Sequence, residues 1–295
     1  MAVEKRVRFK SWWLPWALVA PQLAIVLVFF FWPAGQALYY SVLQQDAFGT
    51  TTEFVGLDNF KALVADESYL ASFKTTAVFS LLVASIGLTV SMALAVMADR
   101  VVKGSGVYKT MLIWPYAVAP VVAGVLWLFM FAPSIGIVSF WLRAAGFDWN
   151  HLLDGTDAMI LIVLAAVWKQ VSYNFLFFLA GLQSIPKSLV EAAAIDGAGP
   201  WRRFWTVQFP LLTPTTFFLL VINIIYVFIG TFGIIDTTTS GGPGQDTSIL
   251  VYKLYFDAFK AMDLGASATQ SVVLMVMLVA LTVIQFRYVE RKVHY

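Results

Sequence analysis

The chain has 295 residues, of which 60% are hydrophobic and only 12% are charged, and its mean hydropathy is +0.80. Soluble domains carry about 25% charged residues, so this composition excludes an ordinary soluble protein and predicts one embedded in a bilayer. The net charge of +2 gives no reason to expect a nucleic-acid partner, because the basic residues cluster at the ends of apolar segments.

Six apolar segments are long enough to cross a hydrocarbon core of about 30 Å as helices. In chain order they cover residues 14–33, 76–98, 107–131, 157–182, 209–235 and 265–286. The runs lack the alternation of barrel strands, and in lipid the backbone must satisfy its own hydrogen bonds. The sequence therefore predicts an all-α polytopic membrane protein with about six transmembrane helices.

The first span follows the basic segment MAVEKRVRFKSWW, as the apolar part of a secretory signal would. Its apolar run from Leu14 to Phe31 is too long for a signal peptide and lacks a small-residue cleavage site. We expect it to remain as a membrane anchor.

The distribution of the 19 basic residues predicts the orientation. With a cytoplasmic N-terminus, thirteen lie inside: Lys5, Arg6, Arg8, Lys10, Arg100, Lys103, Lys109, Lys187, Arg202, Arg203, Arg287, Arg291 and Lys292. Five lie outside: Lys61, Lys74, Arg143, Lys253 and Lys260. The remaining one, Lys169, lies within a span. Since the number of spans is even, we expect both termini in the cytoplasm.

These assignments predict a single transmembrane domain over residues 1–295. Its expected parts are a cytoplasmic N-terminus at 1–13, a first span at 14–33, a periplasmic loop at 34–75, a five-span core at 76–286 with a cytoplasmic loop at about 183–208, and a cytoplasmic tail at 287–295.

The sequence shows no motif for thiol, metal or nucleotide chemistry. It has no cysteine, and His151 and His294 are isolated, so neither thiol chemistry nor a metal site is expected. No G-x-x-x-x-G-K-[ST] loop occurs to hold nucleotide phosphates; the nearest run, residues 241–244, has no following lysine. We therefore expect no cofactor, and an energy source that is either an ion gradient or a separate ATPase.

The stretch SLVEAAAIDGAGPWRRF, residues 188–204, lies between the fourth and fifth spans. Ser188 and Glu191 have capping-box spacing, which predicts that a short helix begins at Ser188. Gly197 and the Gly199-Pro200 pair predict that it then ends. After the break come aromatic residues at i, i+3 and i+4 beside two arginines that can reach lipid headgroups, so we expect the chain to lie along the interface before it re-enters the membrane.

Three alanines on this short helix would let another surface approach closely, although an ordinary connector has the same propensity. The motif around them is more specific: Glu191-Ala192-Ala193, three residues, Gly197, nine residues, then Val207-Gln208-Phe209-Pro210. It resembles the EAA loop of ABC-importer permeases, with valine for isoleucine and phenylalanine for leucine in the closing I-x-L-P. FVGLDNF at residues 54–60 and TSGGPGQDTSILVYKLYFDAF at 239–259 are similar to the carbohydrate-uptake branch of that family.

The resemblance extends over nearly the whole chain and implies a function. WLPWALVAPQL, FFFWPAGQALYYS, WPYAVAPVVAGVLW, VWKQVSYNFLFF and SATQSVVLM resemble permeases of importers for sn-glycerol-3-phosphate. The family resemblance implies the type I (MetI-like) permease fold and a place in the bacterial inner membrane. It implies three kinds of partner: a second, similar permease, two ATP-binding cassette ATPase subunits and an external substrate-binding protein. It also implies that the loop residues couple ATP hydrolysis to transport: Glu191, Ala192, Ala193, Asp196 and Gly197.

Lys169 is the basic residue placed deep in a span, where an ionised lysine costs at least about 2.5 kcal/mol and needs a partner. It could pair with backbone carbonyls, lie at the interface, or offset a phosphate on a passing solute. Lys169, Ser172 and Tyr173 are expected on one helical face suited to a wet cavity. The candidates for the solute path are Lys169, Ser172, Tyr173, Asn174, Asn223 and Tyr226, although helix–helix hydrogen bonding is the commoner role of such residues.

The sequence leaves three alternatives open. A permease for a neutral sugar or oligosaccharide would share most of these motifs. A gradient-driven carrier or channel would work alone and would leave the EAA spacing unexplained. A membrane-embedded enzyme is the weakest alternative, because no paired carboxylates or nucleophile–base set lies within the spans.

Overall fold

A computed structural model describes residues 12–45, 51–100 and 105–289. Up to the third span its helices are Trp13–Val26, Leu27–Phe31 (a π-helix), Trp32–Tyr40, Asp58–Ala65, Glu67–Arg100, Ser105–Ala117 and Pro120–Phe131. Through the fifth span they are Ile137–Ala144, Gly155–Ser184, Lys187–Ile195, Pro200–Arg203, Phe204–Gln208 (π), Phe209–Leu211, Thr213–Ile225, Tyr226–Gly230 (π) and Phe232–Thr238. The last are Leu250–Phe259, Leu264–Ile284 and Gln285–Val289 (π).

Within the described residues, five helical segments are long and apolar enough to span a membrane, and a bent helix pair makes a sixth. In chain order the six are Trp13–Tyr40, Glu67–Asp99, the pair Gly106–Ala117 and Pro120–Phe131, Gly155–Ser184, Thr213–Gly230 and Leu264–Arg287. They are called the first to sixth spans below. This confirms the all-α polytopic fold with about six spans. The basic N-terminal residues before Trp12, Lys103, and the tail from residue 290 with His294 lie outside the described residues.

The third span, expected over residues 107–131, is not one continuous helix. Its two helices meet at 103°, and Ala119 between them is extended, with φ −62° and ψ 145°. Pro120 explains this break, because proline has no amide hydrogen to donate and disfavours helical geometry in the residue before it.

One compact unit of the structure comprises the described residues up to Leu63 together with Asp257–Val273. It contains a feature that the sequence did not predict, a two-stranded antiparallel sheet of Leu43–Gln45 and Thr52–Phe54. The side-chain amide of Asn59 donates to the carbonyls of Ser41 and Leu43, at 3.0 and 2.9 Å. The first span, in the same unit, buries none of its residues, so its apolar surface is open to lipid or to another chain.

The second unit comprises the described residues of Val64–Phe256 and those from Leu274 onward. Its centre is the fourth span, which packs along the second span over buried residues such as Phe79, Val83, Phe175 and Phe178. The hydroxyl of Ser91 donates to the carbonyl of Val171 across this contact at 3.1 Å. Small and apolar side chains here allow two long helices to lie close together, as is typical of membrane bundles.

The ends of the fourth span follow from local sequence. The carboxylate of Asp154 caps its start by accepting from the amides of Thr156 and Asp157, at 2.7 and 3.0 Å. These hydrogen bonds lower the pKa of Asp154, because they stabilise the ionised form. The helix ends at Ser184, since Ile185 precedes a proline and adopts an extended conformation.

Candidate functional site: the loop helix and the Lys169 cluster

The loop helix, Lys187–Ile195, carries the EAA residues between the fourth and fifth spans. Its start corrects the sequence prediction: the helix begins one residue before Ser188, with Pro186 at the N-cap and no side-chain cap hydrogen bond. The capping box predicted from Ser188 and Glu191 is therefore wrong. Pro186, whose ring fixes its φ angle, precedes the helix in place of a residue with a capping hydroxyl.

The predicted end of the loop helix is confirmed. Asp196 is the C-cap and Gly197 has φ +78°, in the left-handed region that favours glycine. The amide of Ala198 donates to the carbonyl of Ala193 at 3.0 Å, which closes the last turn. A Cβ on Gly197 would meet no atom within 4 Å, so glycine is needed here for its backbone conformation and not for space.

The EAA residues divide between the two faces of the loop helix. Ala193 is half-buried and Val190 packs against a core cluster that includes Leu182 and Ile185. The opposite face is open and carries, in order, Glu191, Ala192, Ile195, Asp196 and Gly197. Ile195 is 87% exposed. This face presents an acid, a small residue and an apolar residue together.

The chain then turns through the elbow, which we define as residues 197–208. It contains the short helix Pro200–Arg203 and the π-helix Phe204–Gln208, and it packs against the loop helix. Three aromatic rings contact one another in sequence. Trp201 and Trp205 meet edge to face with ring centroids 5.7 Å apart, and Trp205 and Phe209 are tilted with centroids 4.9 Å apart. This aromatic cluster links the elbow to the helix Phe209–Leu211, which precedes the fifth span.

Lys169 lies midway along the fourth span, Gly155–Ser184, where the sequence placed it. Its ammonium donates to the main-chain carbonyl of Tyr116 at 3.2 Å and lies 5.6 Å from the centre of the Tyr116 ring. In an unbroken helix the Tyr116 carbonyl would accept from residue 120, but Pro120 has no amide hydrogen. The break in the third span therefore leaves a free carbonyl at a helix C-terminus, and a cation is the group that stabilises it.

A row of four aromatic rings begins at Tyr116, beside Lys169, and ends at Phe218. Tyr116 and Tyr173 have ring centroids 5.7 Å apart, Tyr173 and Phe177 4.8 Å, and Phe177 and Phe218 5.2 Å. We call Lys169 and these four rings the Lys169 cluster. Tyr116 is 53% exposed and the others are partly exposed, so the cluster faces the exterior of this chain. The sequence patterns did not indicate Tyr116, Phe177 and Phe218, although Pro120 was a signal for Tyr116, because a proline leaves the carbonyl four residues before it without its helical donor.

Ser172 departs from the face expected for it. It is buried, and its hydroxyl has no hydrogen-bond partner among the described residues. It lies three residues from Lys169, which places it about 60° round the helix and toward the core side. Tyr226, another pathway candidate, is half-buried, and its hydroxyl lies 3.4 Å from the carbonyl of Ala166.

Asn174 and Asn223 form a closed pair between the fourth and fifth spans. Each side-chain amide donates to the other's oxygen, at 3.1 and 2.8 Å, and that of Asn223 also donates to the carbonyl of Leu219 at 2.7 Å. Both side chains are fully buried. In this conformation the two carboxamides satisfy each other, so a solute reaches them only if the two helices separate.

Replacing Asn223 by leucine is expected to destabilise the chain by about 1 kcal/mol, because Asn174 is left with unpaired polar groups in an apolar interior. Asn174→Leu should have a similar effect, and the double variant should cost less than the sum of the two. Unfolding in mixed micelles measures these differences as a double-mutant cycle. Ser85→Ala, which removes an exposed hydroxyl bonded only to its own helix, is the control. Additive effects would show that the two amides do not interact.

Polar groups outside the spans are also held in place. Burial alone would raise the pKa of Asp66, but hydrogen bonds from Ser68 and the Lys253 ammonium 3.6 Å away outweigh burial and lower that pKa.

His151 is buried with neither ring nitrogen hydrogen-bonded to a described residue, and burial lowers its pKa. Among the described residues no cluster of three or more His, Cys, Asp or Glu side chains could hold a metal ion.

The sequence matches a family model, "Binding-protein-dependent transport system inner membrane component", over residues 9–295. The chain therefore belongs to this family of ABC-importer permeases and is a multi-pass protein of the inner membrane. It is 60% identical over 282 residues to the sn-glycerol-3-phosphate transport system permease protein UgpA of Agrobacterium fabrum, covering 96% of both chains. It is also 60% identical over 292 residues to the UgpA of Yersinia enterocolitica, covering 99% of both.

Solved structures share the fold. A chain of a bacterial ABC transporter that imports the acidic polysaccharide alginate superimposes with a TM-score of 0.81 at 21% identity, covering 95% of this chain and 96% of that one. A chain of an amino acid ABC transporter gives a TM-score of 0.53 at 13% identity and covers 82% of this chain. These confirm the type I (MetI-like) importer permease fold.

Proposed function

We propose that this chain is one of two permease subunits of an ATP-driven importer for sn-glycerol-3-phosphate. The observation that carries the proposal is the identity of about 60% along almost the full length of both chains to permeases of that transport system. The Lys169 cluster is consistent with the substrate, because it holds a cation and tyrosine hydroxyls on a partly exposed face. A neutral sugar or oligosaccharide would offer the ammonium hydroxyl oxygens but no opposite charge.

The partners follow from the same proposal. The first span buries none of its residues in this chain, which favours a second, similar permease as its cover. The exposed face of the loop helix favours a soluble partner, and we assign it to one of two ATP-binding cassette subunits that hydrolyse the ATP. A substrate-binding protein delivers the solute, as the family's description implies. The permease itself performs no chemistry on the solute.

Two sets of residues carry the transport cycle in this proposal. The first set transmits the closing motion of the ATPase dimer through the elbow to the spans; it comprises Glu191, Ala192, Ala193, Asp196 and Gly197. The solute meets Lys169 and Tyr173 first. The remaining pathway residues, Ser172, Asn174, Asn223 and Tyr226, become accessible when the fourth and fifth spans move apart, as alternating access by rigid-body motion requires.

Uptake by the assembled importer tests the function. Proteoliposomes with its binding protein should accumulate labelled sn-glycerol-3-phosphate only when ATP is supplied to the ATPase side. Unlabelled sn-glycerol-3-phosphate should compete, whereas glycerol and maltose at the same concentration should not. Competition by maltose alone would favour the sugar alternative, and uptake by this chain without ATP would favour a gradient-driven carrier.

The proposed orientation has both termini and the loop helix in the cytoplasm, in line with the excess of basic residues on that side. Because the chain has no cysteine, single cysteines at Ser188 and Ser240, both exposed, report the two sides cleanly. An impermeant thiol reagent added to intact spheroplasts should label position 240 and spare position 188 until the membrane is opened. The reverse pattern would invert the topology.

A further inference from the structure

His151 is a buried histidine that the proposed function does not use. It is 2% exposed and lies in the connection between the third and fourth spans, residues 132–154, which we call the 132–154 loop. Neither ring nitrogen has a hydrogen-bond partner among the described residues. A neutral imidazole carries one donor and one acceptor, and burying either without a partner is unfavourable. The ring therefore sits in a site that is poorly suited to it and still less suited to its charged form.

Two buried hydrogen bonds hold the 132–154 loop against the end of the third span. The hydroxyl of Ser139 and the indole N–H of Trp149 both donate to the carbonyl of Phe131, at 2.5 and 3.0 Å. A carbonyl oxygen has two lone pairs, so these donors leave it no capacity for the imidazole. The ring of Trp149 lies 5.1 Å from that of Phe131 and 6.3 Å from that of His151, centroid to centroid. The imidazole therefore adjoins the contact that closes the loop.

Asp157 is the charged group that acts on the imidazole from the fourth span. Its carboxylate accepts from the amide of Asn150 at 2.7 Å, which holds the loop to that span, and its charge favours a proton on His151. Burial opposes the proton more strongly, so the pKa of His151 is lowered. The other charged groups on the loop and beside the start of the fourth span are exposed to solvent: Arg143, Asp148, Asp154 and Asp246.

We propose that His151 makes the 132–154 loop sensitive to pH: in a mildly acidic medium the imidazole takes a proton, and the loop opens from the ends of the two spans so that the imidazolium reaches water. In the proposed orientation this medium is the external one. An ionised ring cannot stay buried there without a hydrogen-bond partner except at a high cost. Opening loosens the outer connection between the spans that carry Tyr116 and Lys169.

The direction of the pH dependence follows from where the proton binds. The open loop binds a proton near the ordinary histidine pKa of about 6.5, whereas the closed loop binds it only at lower pH. Above that pKa the closed loop keeps its full stability, and the stability falls as the pH falls below it. A closed loop that excludes the proton opens about tenfold more at pH 5.5 than at pH 7.5.

Amide hydrogen exchange in the assembled importer tests this inference. The importer is held in phospholipid nanodiscs, and mass spectrometry follows the hydrogen-bonded amides of Asn150, Leu153 and Asp154 at both pH values. Each rate is divided by that of His151→Phe at the same pH, which removes the intrinsic pH dependence of exchange. The wild-type ratio should rise about tenfold from pH 7.5 to pH 5.5. Nanodiscs expose both faces, so neither the orientation nor the solute affects the result.

Two further variants separate His151 from other sources of pH dependence. His151→Gln is polar but does not titrate, so its ratio to His151→Phe should be the same at both pH values, and it serves as the reference if the phenylalanine variant does not assemble. His294 is the other histidine of the chain. His294→Phe is the matched control and should keep the full acid response of the wild type.

Three outcomes would overturn the inference. A wild-type ratio that is constant between the two pH values would show that opening of the loop does not depend on this imidazole. A ratio that falls in acid would show that the imidazolium closes the loop, by pairing with Asp157. Loss of the acid response in His294→Phe would assign that response to the C-terminal tail.

Discussion

Replacing Lys169 by glutamine is expected to lower the uptake of sn-glycerol-3-phosphate by about tenfold or more, while assembly and basal ATPase activity remain close to those of the wild type. Glutamine keeps a donor for the Tyr116 carbonyl, which Lys169 contacts at 3.2 Å, but it removes the charge. A charge-assisted hydrogen bond is worth about 1.5–3 kcal/mol, and each 1.4 kcal/mol corresponds to a factor of ten. Initial rates of uptake in proteoliposomes measure the effect.

Two further variants separate the roles of Lys169 in structure and in transport. Lys169→Arg keeps both the charge and the donor and should retain most of the uptake. Lys169→Met removes both, so it should also destabilise the break in the third span by leaving the Tyr116 carbonyl unpaired. If Lys169→Gln transported at the wild-type rate and only Lys169→Met were impaired, Lys169 would be a cap for the broken helix and would have no part in solute passage.

Gly197→Val is expected to uncouple ATP hydrolysis from transport. Valine at φ +78° costs about 1–2 kcal/mol, which corresponds to a factor of about 5–30 in an equilibrium. Because a Cβ at this position meets no atom within 4 Å, the strain falls on the backbone that orients the loop helix. Uptake and the stimulation of ATPase activity by the loaded binding protein should fall together by about fivefold or more.

Gly199 provides a matched control two residues away. It also has open space around a Cβ, but its φ is −63° and its ψ is 166°, an extended conformation that valine adopts readily. Gly199→Val should therefore retain coupling. Glu191→Lys tests the exposed face of the same helix by reversing its charge, and it should impair stimulation without changing the backbone. Normal stimulation in both Gly197→Val and Glu191→Lys would remove the coupling role from this helix.

The sequence predicted those features of the fold that depend on one continuous segment of the chain. The six apolar runs predicted the spans, because the thickness of the bilayer fixes the length that a helix needs. Gly197 predicted the end of the loop helix, since few residues other than glycine adopt its left-handed conformation. The start of that helix was predicted less well, because Ser188 has the chemistry of a cap while Pro186 restricts the backbone two residues earlier.

Helices in the structure also extend beyond the apolar runs that predicted them. The second span begins at Glu67, although its apolar run begins near residue 76. Helical hydrogen bonding depends on the backbone and continues past the last apolar residue, so hydropathy measures the part of a helix in hydrocarbon and not the whole helix. The short sheet at Leu43–Gln45 gave no signal, because three-residue strands are too brief for a recognisable alternation.

By itself, the sequence determined that this protein crosses the membrane as helices, which family it belongs to, and where the chain must break, because these depend on composition, spacing and local backbone preference. Only the tertiary structure decided which polar groups meet. Lys169 needed a partner on energetic grounds, but that partner is the carbonyl of Tyr116, 53 residues away in the chain. Asn174 and Asn223, 49 residues apart, pair in the same way. The physical reason is that a hydrogen bond between two helices is fixed by how the helices pack, and the identities of the residues alone do not specify that packing.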